Sequence, residues 1–383
     1  MFSGNKDIII DITNKLTAVI PDRIKEARIY RGLTQQDLAI KVGVSKQAIC
    51  GYETGTKNPS IDVLSNISQG LDFPINFFYK EKVVCDNQGE VYFRSSAIPC
   101  KKKEMLEQKL IYLSTEVVYF IENYLTLPKV NLVDVKYKEE YTYSDINNIV
   151  KQLRTHWGLG TKPINNLTHI MQENGCIIAN LTLNSDKTDG YSKWMWNRPY
   201  TFINIEKEAS VRLRFTLAHE LGHIILHRNL KNGEDIKKRE KEANYFAGEL
   251  LFPSEVAIDE IMPVTLDSLI PIKSKWGISI GALVRRCFDL ELITEDRYLL
   301  LQKQISKRKW RKFEPLDDMI KCENPQLFQE AFSLLIEHNI ITKSDINNSI
   351  LFSENELLNI CCLEPDFFKE KRISFKPRLE VVK

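Results

Sequence analysis

The segment His-Glu-Leu-Gly-His at residues 219–223 constrains the fold most, because its chemistry requires a helix. Apolar residues flank it on both sides, so the segment is compatible with a helix. Side chains four positions apart lie on one face of an α-helix. The imidazoles of His219 and His223 can therefore bind one Zn²⁺. Glu220 beside them can take a proton from a water molecule that the metal activates.

The pattern by itself leaves an alternative, an amphipathic helix whose histidines are structural. Half of the six histidines of the chain fall here at four-residue steps. His227 continues this series, and we expect it to be structural or to lie behind a ligand. Metzincins need Gly and a third His where this chain has Leu226 and Asn229, so the motif does not belong to that class.

A second helical segment downstream offers a third metal ligand. Glu240 and Asn244 share one face of it with the small residues Ala243 and Ala247, which would let two helices approach closely. A carboxylate, two imidazoles and an open position form a catalytic zinc site. The Asn amide can orient a ligand histidine. Glu242 lies in the same segment, so the sequence leaves open which glutamate is the ligand.

A strand is predicted just upstream of the motif. Residues 200–205 are rich in β-branched and aromatic side chains and follow Pro199. Zinc peptidases commonly bind an extended substrate along an exposed strand edge, a general mode of peptide recognition. We expect this strand to provide that edge.

Composition sets broad limits on the protein. A chain of 383 residues has room for two or three domains, and its net charge of +2 argues neither for nor against nucleic acid. We find no signal peptide and no apolar run long enough to span a membrane. Eight cysteines without a Cys-x-x-Cys pair fit reduced thiols. These features predict a cytoplasmic protein without a membrane partner.

Residues 20–80 predict a helix-turn-helix. Two short helices are joined by a turn at Gly43, and hydroxyl residues at their starts are suitable N-caps. The second helix of such a unit enters the major groove of DNA with its first residues facing the bases. Gln47 there suits adenine. The predicted DNA contacts are Gln35, Ser45, Lys46 and Gln47.

Residues 23–78 resemble the XRE/Cro-type family of phage repressors. The similarity lies in the segments RIKEAR, GLTQQDLA, GVSKQAI and the later Pro-Ser. It implies an all-α domain that binds double-stranded operator DNA. The two-fold operators of such proteins favour a homodimer. A helical bundle that binds protein is the alternative.

Residues 145–300 resemble the ImmA/IrrE family of bacterial zinc peptidases, which are similar to gluzincins. The matching segments are RLRFTLAHELGH, EKEANYFA and ELLFP. The resemblance implies Zn²⁺ as cofactor and cleavage of DNA-binding repressors of mobile elements or stress regulons. It assigns His219 and His223 as ligands and Glu220 as general base. Glu240 with Asn244 mirrors the Glu-x-x-x-Asp of gluzincins, which favours Glu240 over Glu242.

The predicted fold is a multidomain α+β chain. It has an all-α helix-turn-helix domain (1–80), a helical connector (81–144), an α+β gluzincin-type peptidase domain with a small sheet (145–300) and a helical region (301–383). The predicted function is a DNA-binding transcriptional regulator with a zinc metallo-endopeptidase domain that cleaves a repressor-type protein. Two alternatives stay open: a regulator whose zinc domain senses a ligand without proteolysis, and an antitoxin or anti-repressor whose zinc domain docks a partner.

Overall fold

The structure, a computed structural model, describes residues 19–81, 100–181, 190–205, 210–228 and 235–369. It is mostly helical and contains one three-stranded sheet, which confirms the α+β multidomain class expected from the sequence. None of the helices in those ranges is long and apolar enough to cross a membrane.

Short helices form the amino-terminal part. They are α1 (Pro21–Tyr30), α2 (Gln35–Val42), α3 (Lys46–Glu53) and α4 (Ile61–Leu71), followed by a 3₁₀ turn (Ile75–Phe78). The hydroxyls of Thr34 and Ser45 accept hydrogen bonds from the first-turn backbone N–H groups of α2 and α3. Gly43 ends α2 at a φ of 75°, a left-handed conformation that glycine adopts readily. The two helices therefore meet at a sharp turn.

A helical connector packs against α1. It consists of α5 (Cys100–Tyr112), a π-helical segment (Leu113–Val118) and α6 (Tyr119–Glu122). The buried Glu116 carboxylate lies 2.9 Å from the Lys80 ammonium and 3.9 Å from the Arg23 guanidinium, which ties the connector to the amino-terminal helices. Residues 127–142, here called the strap, follow without helix or strand and lead to the next helix.

The following part of the chain combines helices with the sheet. Its first elements are α7 (Tyr143–His156), α8 (Leu167–Glu173), β1 (Ile177–Asn180), β2 (Gly190–Met195), β3 (Arg198–Ile203), α9 (Ser210–Leu226), α10 (Ile236–Leu251) and α11 (Ser254–Glu260). It continues with α12 (Leu269–Trp276), α13 (Ile280–Asp289), α14 (Glu295–Lys307), α15 (Leu327–Glu337), α16 (Lys343–Ser349) and α17 (Glu354–Ile360). The helices α9 and α10 pack along one another as a hairpin.

The sheet has the strand order β1-β3-β2. β3 is parallel to β1, with Thr201 opposite Ile178, and antiparallel to β2, with Thr201 opposite Ser192. The expectation that residues 200–205 provide an exposed strand edge is therefore wrong, because β3 is paired on both sides. The edge strand beside α9 is β2 instead. Side-chain composition identifies residues 200–205 as a strand, but which strands pair with it depends on the path of the chain between them.

The sheet separates two hydrophobic cores, because alternate side chains of a strand point to opposite faces. Tyr191, Tyr200 and Phe202 belong to a core that they share with the amino-terminal helices, the connector and α15–α17. Ile178 and Ile203 belong to the other core, which α7–α14 enclose. The helix-turn-helix and the carboxy-terminal helices thus meet on one side of the sheet, and α9 with α10 lies on the other.

Candidate metal centre and DNA-reading face

The hairpin of α9 and α10 is the scaffold of the candidate metal centre. A β-carbon at Gly222 would lie 3.1 Å from the Phe246 ring and 3.3 Å from the Cα atom of Ala243. Glycine at this crossing therefore lets the two helices approach closely. On α10, the Asp235 carboxylate caps the first turn by accepting from the Lys237 backbone N–H. The close approach brings the histidine face of α9 opposite the early turns of α10.

Three potential ligands converge between these helices. The Nε2 atoms of His219 and His223 are 3.1 Å apart. Carboxylate oxygens of Glu240 lie 3.3 Å from the first and 3.5 Å from the second. The two imidazoles are about nine-tenths buried, whereas the Glu240 side chain is 34% exposed, so the cluster can be reached from the solvent. These residues are the three ligands that the sequence favours.

Hydrogen bonds on the side of each imidazole away from the cluster indicate which ring nitrogen presents a lone pair to the cluster. Nδ1 of His219 lies 2.9 Å from the Asn244 side-chain oxygen, which only accepts, so the ring proton sits on Nδ1. Nδ1 of His223 lies 2.8 Å from Nδ1 of His227, so one of these two nitrogens donates to the other. With a proton also on Nδ1 of His223, both Nε2 atoms would present lone pairs towards the Glu240 carboxylate, an arrangement that a cation among them stabilises. This donor set of two nitrogens and a carboxylate fits Zn²⁺.

The carboxylate of Glu220 is fully buried between α9 and the edge strand β2. The Ser192 hydroxyl donates to its Oε2 at 2.5 Å. A β-carbon at Gly190 would lie only 2.7 Å from its Oε1, so the close approach of β2 at this position requires glycine. Sequence reasoning missed both residues, because Ser192 lies 28 positions away and carries no motif of its own.

Glu242 contacts His227 rather than the two converging imidazoles. Its Oε2 lies 2.9 Å from the Nε2 of His227, and both residues are buried. Residues two apart on a helix differ in direction by about 200°, so Glu240 and Glu242 cannot face the same cluster. The structure thus brings Glu240 to the histidines. It also places His227 behind His223, one of the two positions expected for it.

The predicted DNA contacts cluster at the start of α3. Ser45, Lys46 and Gln47 are exposed there, and the Ser45 hydroxyl also caps the helix. Gln35 is half-buried at the start of α2, and its amide donates to the Glu53 carboxylate at 2.8 Å. In this structure Gln35 therefore joins α2 to α3, and its contact with a phosphate stays a prediction.

Several curated bacterial and archaeal proteins match short parts of the chain. YqaE of Bacillus subtilis, an uncharacterized HTH-type transcriptional regulator, is 28% identical over 101 residues, 25% of this chain and 87% of that protein. Another such regulator, from Methanocaldococcus jannaschii, is 36% identical over 62 residues, 16% of this chain and 94% of that protein. A third, from Sinorhizobium medicae, is 34% identical over 68 residues, 18% of this chain and 49% of that protein.

Two family models match separate parts of the chain. A helix-turn-helix model matches residues 24–78, which contain α2–α4 and most of α1. A peptidase-family model described as the IrrE N-terminal-like domain matches residues 173–288, which contain the whole ligand cluster. The chain belongs to the XRE-type helix-turn-helix regulators that carry an ImmA/IrrE-like domain. Both resemblances identified in the sequence are thus confirmed. The ligand cluster and the DNA-reading face of this regulator lie in different matched domains.

Proposed function

We propose that this regulator is also a zinc metallo-endopeptidase and that it cleaves a repressor-type protein. The observation that carries the proposal is the convergence of His219, His223 and Glu240, with Glu220 directly following the first ligand in α9 and its carboxylate buried. Structural zinc sites usually have four protein ligands, whereas three protein ligands leave a position for water. A purely structural site also has no use for a general base, which is the role that Glu220 can take.

The chain's own residues account for the proton transfers of such a reaction. When bound by the three ligands, Zn²⁺ supplies a Lewis acid that acidifies a water molecule and polarises a peptide carbonyl. Glu220 accepts the proton of the attacking water on its carboxylate and then delivers it to the departing amine nitrogen. Ser192 holds that carboxylate through its hydroxyl. Asn244 holds the His219 ring so that Nε2 points at the cluster.

The substrate segment is proposed to bind along β2. Within the described sheet, β2 pairs with β3 on one side and forms the edge on the other. Its residue Ser192 touches Glu220, so an extended peptide paired with this edge would pass the general base. Main-chain pairing of this kind is a common mode of peptide recognition and requires an extended, locally unfolded substrate segment.

Operator DNA is the second proposed partner. The helix α3 would enter the major groove with Ser45, Lys46 and Gln47 facing the bases. The amide of Gln35 would then donate its hydrogen bond to a DNA phosphate instead of to the Glu53 carboxylate. Two-fold operators favour a homodimer. As a protein that binds operator DNA, it is proposed to act in the cytoplasm. Lys46→Ala is expected to weaken operator binding by about 1–3 kcal/mol and to relax the base preference at the position that Lys46 contacts. Unchanged affinity and base preference would exclude a base contact by Lys46.

The test of the proteolytic function combines zinc content with cleavage. Full-length wild type, Glu220→Gln and the double variant His219→Ala/His223→Ala are each co-expressed with the repressor-like protein encoded nearest to this chain. We expect one zinc per chain in wild type and in Glu220→Gln, cleavage by wild type alone, and no zinc in the double variant. His169→Ala, a change at an exposed histidine, is the control and should behave as wild type.

Other outcomes separate the alternatives. Full zinc occupancy without Glu220-dependent cleavage would favour a regulator whose zinc domain senses a ligand, or an antitoxin or anti-repressor that docks a partner. Wild type that takes up no zinc even after reconstitution would exclude the metal centre itself.

A further inference from the structure

A chain of hydrogen bonds leads away from the candidate ligand His223. Its Nδ1 lies 2.8 Å from Nδ1 of His227, and Nε2 of His227 lies 2.9 Å from Oε2 of Glu242. The second oxygen of that carboxylate accepts from the backbone N–H of Tyr141 at 3.0 Å. Four groups are thus connected in one line from the ligand cluster to the strap.

The positions of the protons along this line follow from its Tyr141 end. Tyr141 can only donate through its N–H to Oε1 of Glu242, and a carboxylate is an acceptor at its other oxygen as well. Opposite a Glu242 carboxylate, His227 carries its ring proton on Nε2 and presents a lone pair at Nδ1. That lone pair requires a proton on Nδ1 of His223. The Nε2 of His223 is then the nitrogen left to bind a metal, and it is the one that faces His219 and Glu240.

Burial makes this line of hydrogen bonds energetically important. His227 is 7% exposed and Glu242 is 6% exposed, so neither can exchange its protein partner easily for water. Burying a carboxylate without hydrogen-bond donors costs free energy. Glu242 is therefore expected to keep its contacts with His227 and the Tyr141 backbone N–H. A carboxylate behind an imidazole also makes that imidazole a better metal ligand, and loss of such partners typically weakens metal binding 10–100-fold.

We propose that His227 and Glu242 are positioning residues of the metal centre. They fix the tautomer and orientation of His223, and they strengthen Zn²⁺ binding at its Nε2 through a second histidine inserted between ligand and carboxylate. The inference rests on the zinc site of the proposed function, but not on proteolysis. It also gives the strap a role, because the Tyr141 backbone terminates the line of hydrogen bonds. The strap joins the metal centre to the connector, which shares its core with the helix-turn-helix.

The test is the zinc dissociation constant of the full-length protein, measured by competition with a chromophoric chelator. His227→Phe keeps a ring of similar size but cannot accept from His223 or donate to Glu242. Glu242→Gln keeps the shape and loses the charge. We expect the dissociation constant to rise about 10–100-fold in His227→Phe and by a smaller factor in Glu242→Gln. His169→Phe makes the same chemical change at a half-exposed histidine and should leave the constant at the wild-type value.

A merely structural role would give a different result. It would lower the midpoint of thermal unfolding of the metal-free variants while their zinc dissociation constants stayed within twofold of wild type, and that would overturn the proposal. If His227→Phe does not fold, Glu242→Gln decides by the same criterion. If the double variant His219→Ala/His223→Ala binds zinc as tightly as wild type, the metal site itself fails. If the wild-type protein binds zinc as expected but does not cleave the repressor, that result counts only against the peptidase function.

Discussion

At the scale of single residues, β2 is adapted to the carboxylate of Glu220. The Ser192 hydroxyl donates to this fully buried group, and Gly190 provides the space in which its other oxygen lies. A buried carboxylate needs such donors, because removing it from water is otherwise costly. The strand therefore both shields and orients the proposed general base.

The hydrogen bond from Ser192 is expected to stabilise the folded protein measurably. Replacing Ser192 by Ala leaves a buried carboxylate with one donor fewer, so the free energy of unfolding should fall by about 1–3 kcal/mol in urea denaturation. Ser306→Ala is the matched control, because this serine is exposed, and its effect should stay within about 0.5 kcal/mol. Equal small effects at both positions would show that the Ser192 bond contributes nothing.

At the scale of elements, the crossing of α9 and α10 sets the geometry of the ligand cluster. His219 and His223 lie on one helix and Glu240 on the other, so their distances depend on how closely the two helices pack. Gly222 stands at the crossing, against the Phe246 ring. A side chain there would separate the helices and with them the ligands.

Two glycine substitutions test this crossing. Both Gly222→Ala and Gly248→Ala gain about 1 kcal/mol of helix propensity. At Gly248 a β-carbon would meet only the Arg286 side chain, at a van der Waals distance of 3.4 Å. At Gly222 it would press on a ring and on backbone, so this variant should be less stable than Gly248→Ala by about 1–3 kcal/mol in urea denaturation. It should also bind zinc more weakly. Two variants of equal stability would mean that the crossing is not tight.

At the scale of the whole molecule, the carboxylate of Glu356 joins three parts of the chain. It belongs to α17, and it accepts from the Tyr30 hydroxyl and the Arg31 guanidinium beside α1. The Lys109 ammonium of α5 lies 3.3 Å away. Burial by itself would raise the pKa of Glu356, but Lys109 and Arg31 outweigh it and lower the pKa to about 2. The carboxy-terminal helices are thereby fastened to the helix-turn-helix and the connector.

This ionic contact predicts an acid-sensitive stability. Because the pKa of Glu356 lies below its ordinary value of 4.5, the contribution is complete above pH 4.5 and is lost as the pH falls towards 2. It should amount to roughly 3 kcal/mol. In chelator-treated protein, Glu356→Gln should lower the unfolding free energy at pH 7 and flatten its decline below pH 4.5. Glu337→Gln, at an exposed position, should keep the wild-type profile. A wild-type profile in Glu356→Gln would refute the contact.

Local patterns were sufficient for much of the ligand cluster and for the helix-turn-helix. The four-residue spacing of His219 and His223 places both rings on one helix face wherever that helix lies, and the tight turn at Gly43 likewise depends on neighbouring residues alone. The family resemblances added the fold class and the preference for Glu240. The histidine spacing and the turn at Gly43 depend on interactions within a few residues along the chain, whereas the contributions of the resemblances do not.

Long-range packing decided the rest, and the sequence held no signal for it. The pairing of β3 on both sides, the approach of Ser192 to Glu220 and the docking of Glu356 on Arg31 join residues that are far apart in the chain. The line from His223 to the strap has the same character, since Tyr141 lies 101 residues from Glu242. Spacing determines which side chains share a face, whereas the partners they meet depend on which surfaces bury one another when the whole chain folds.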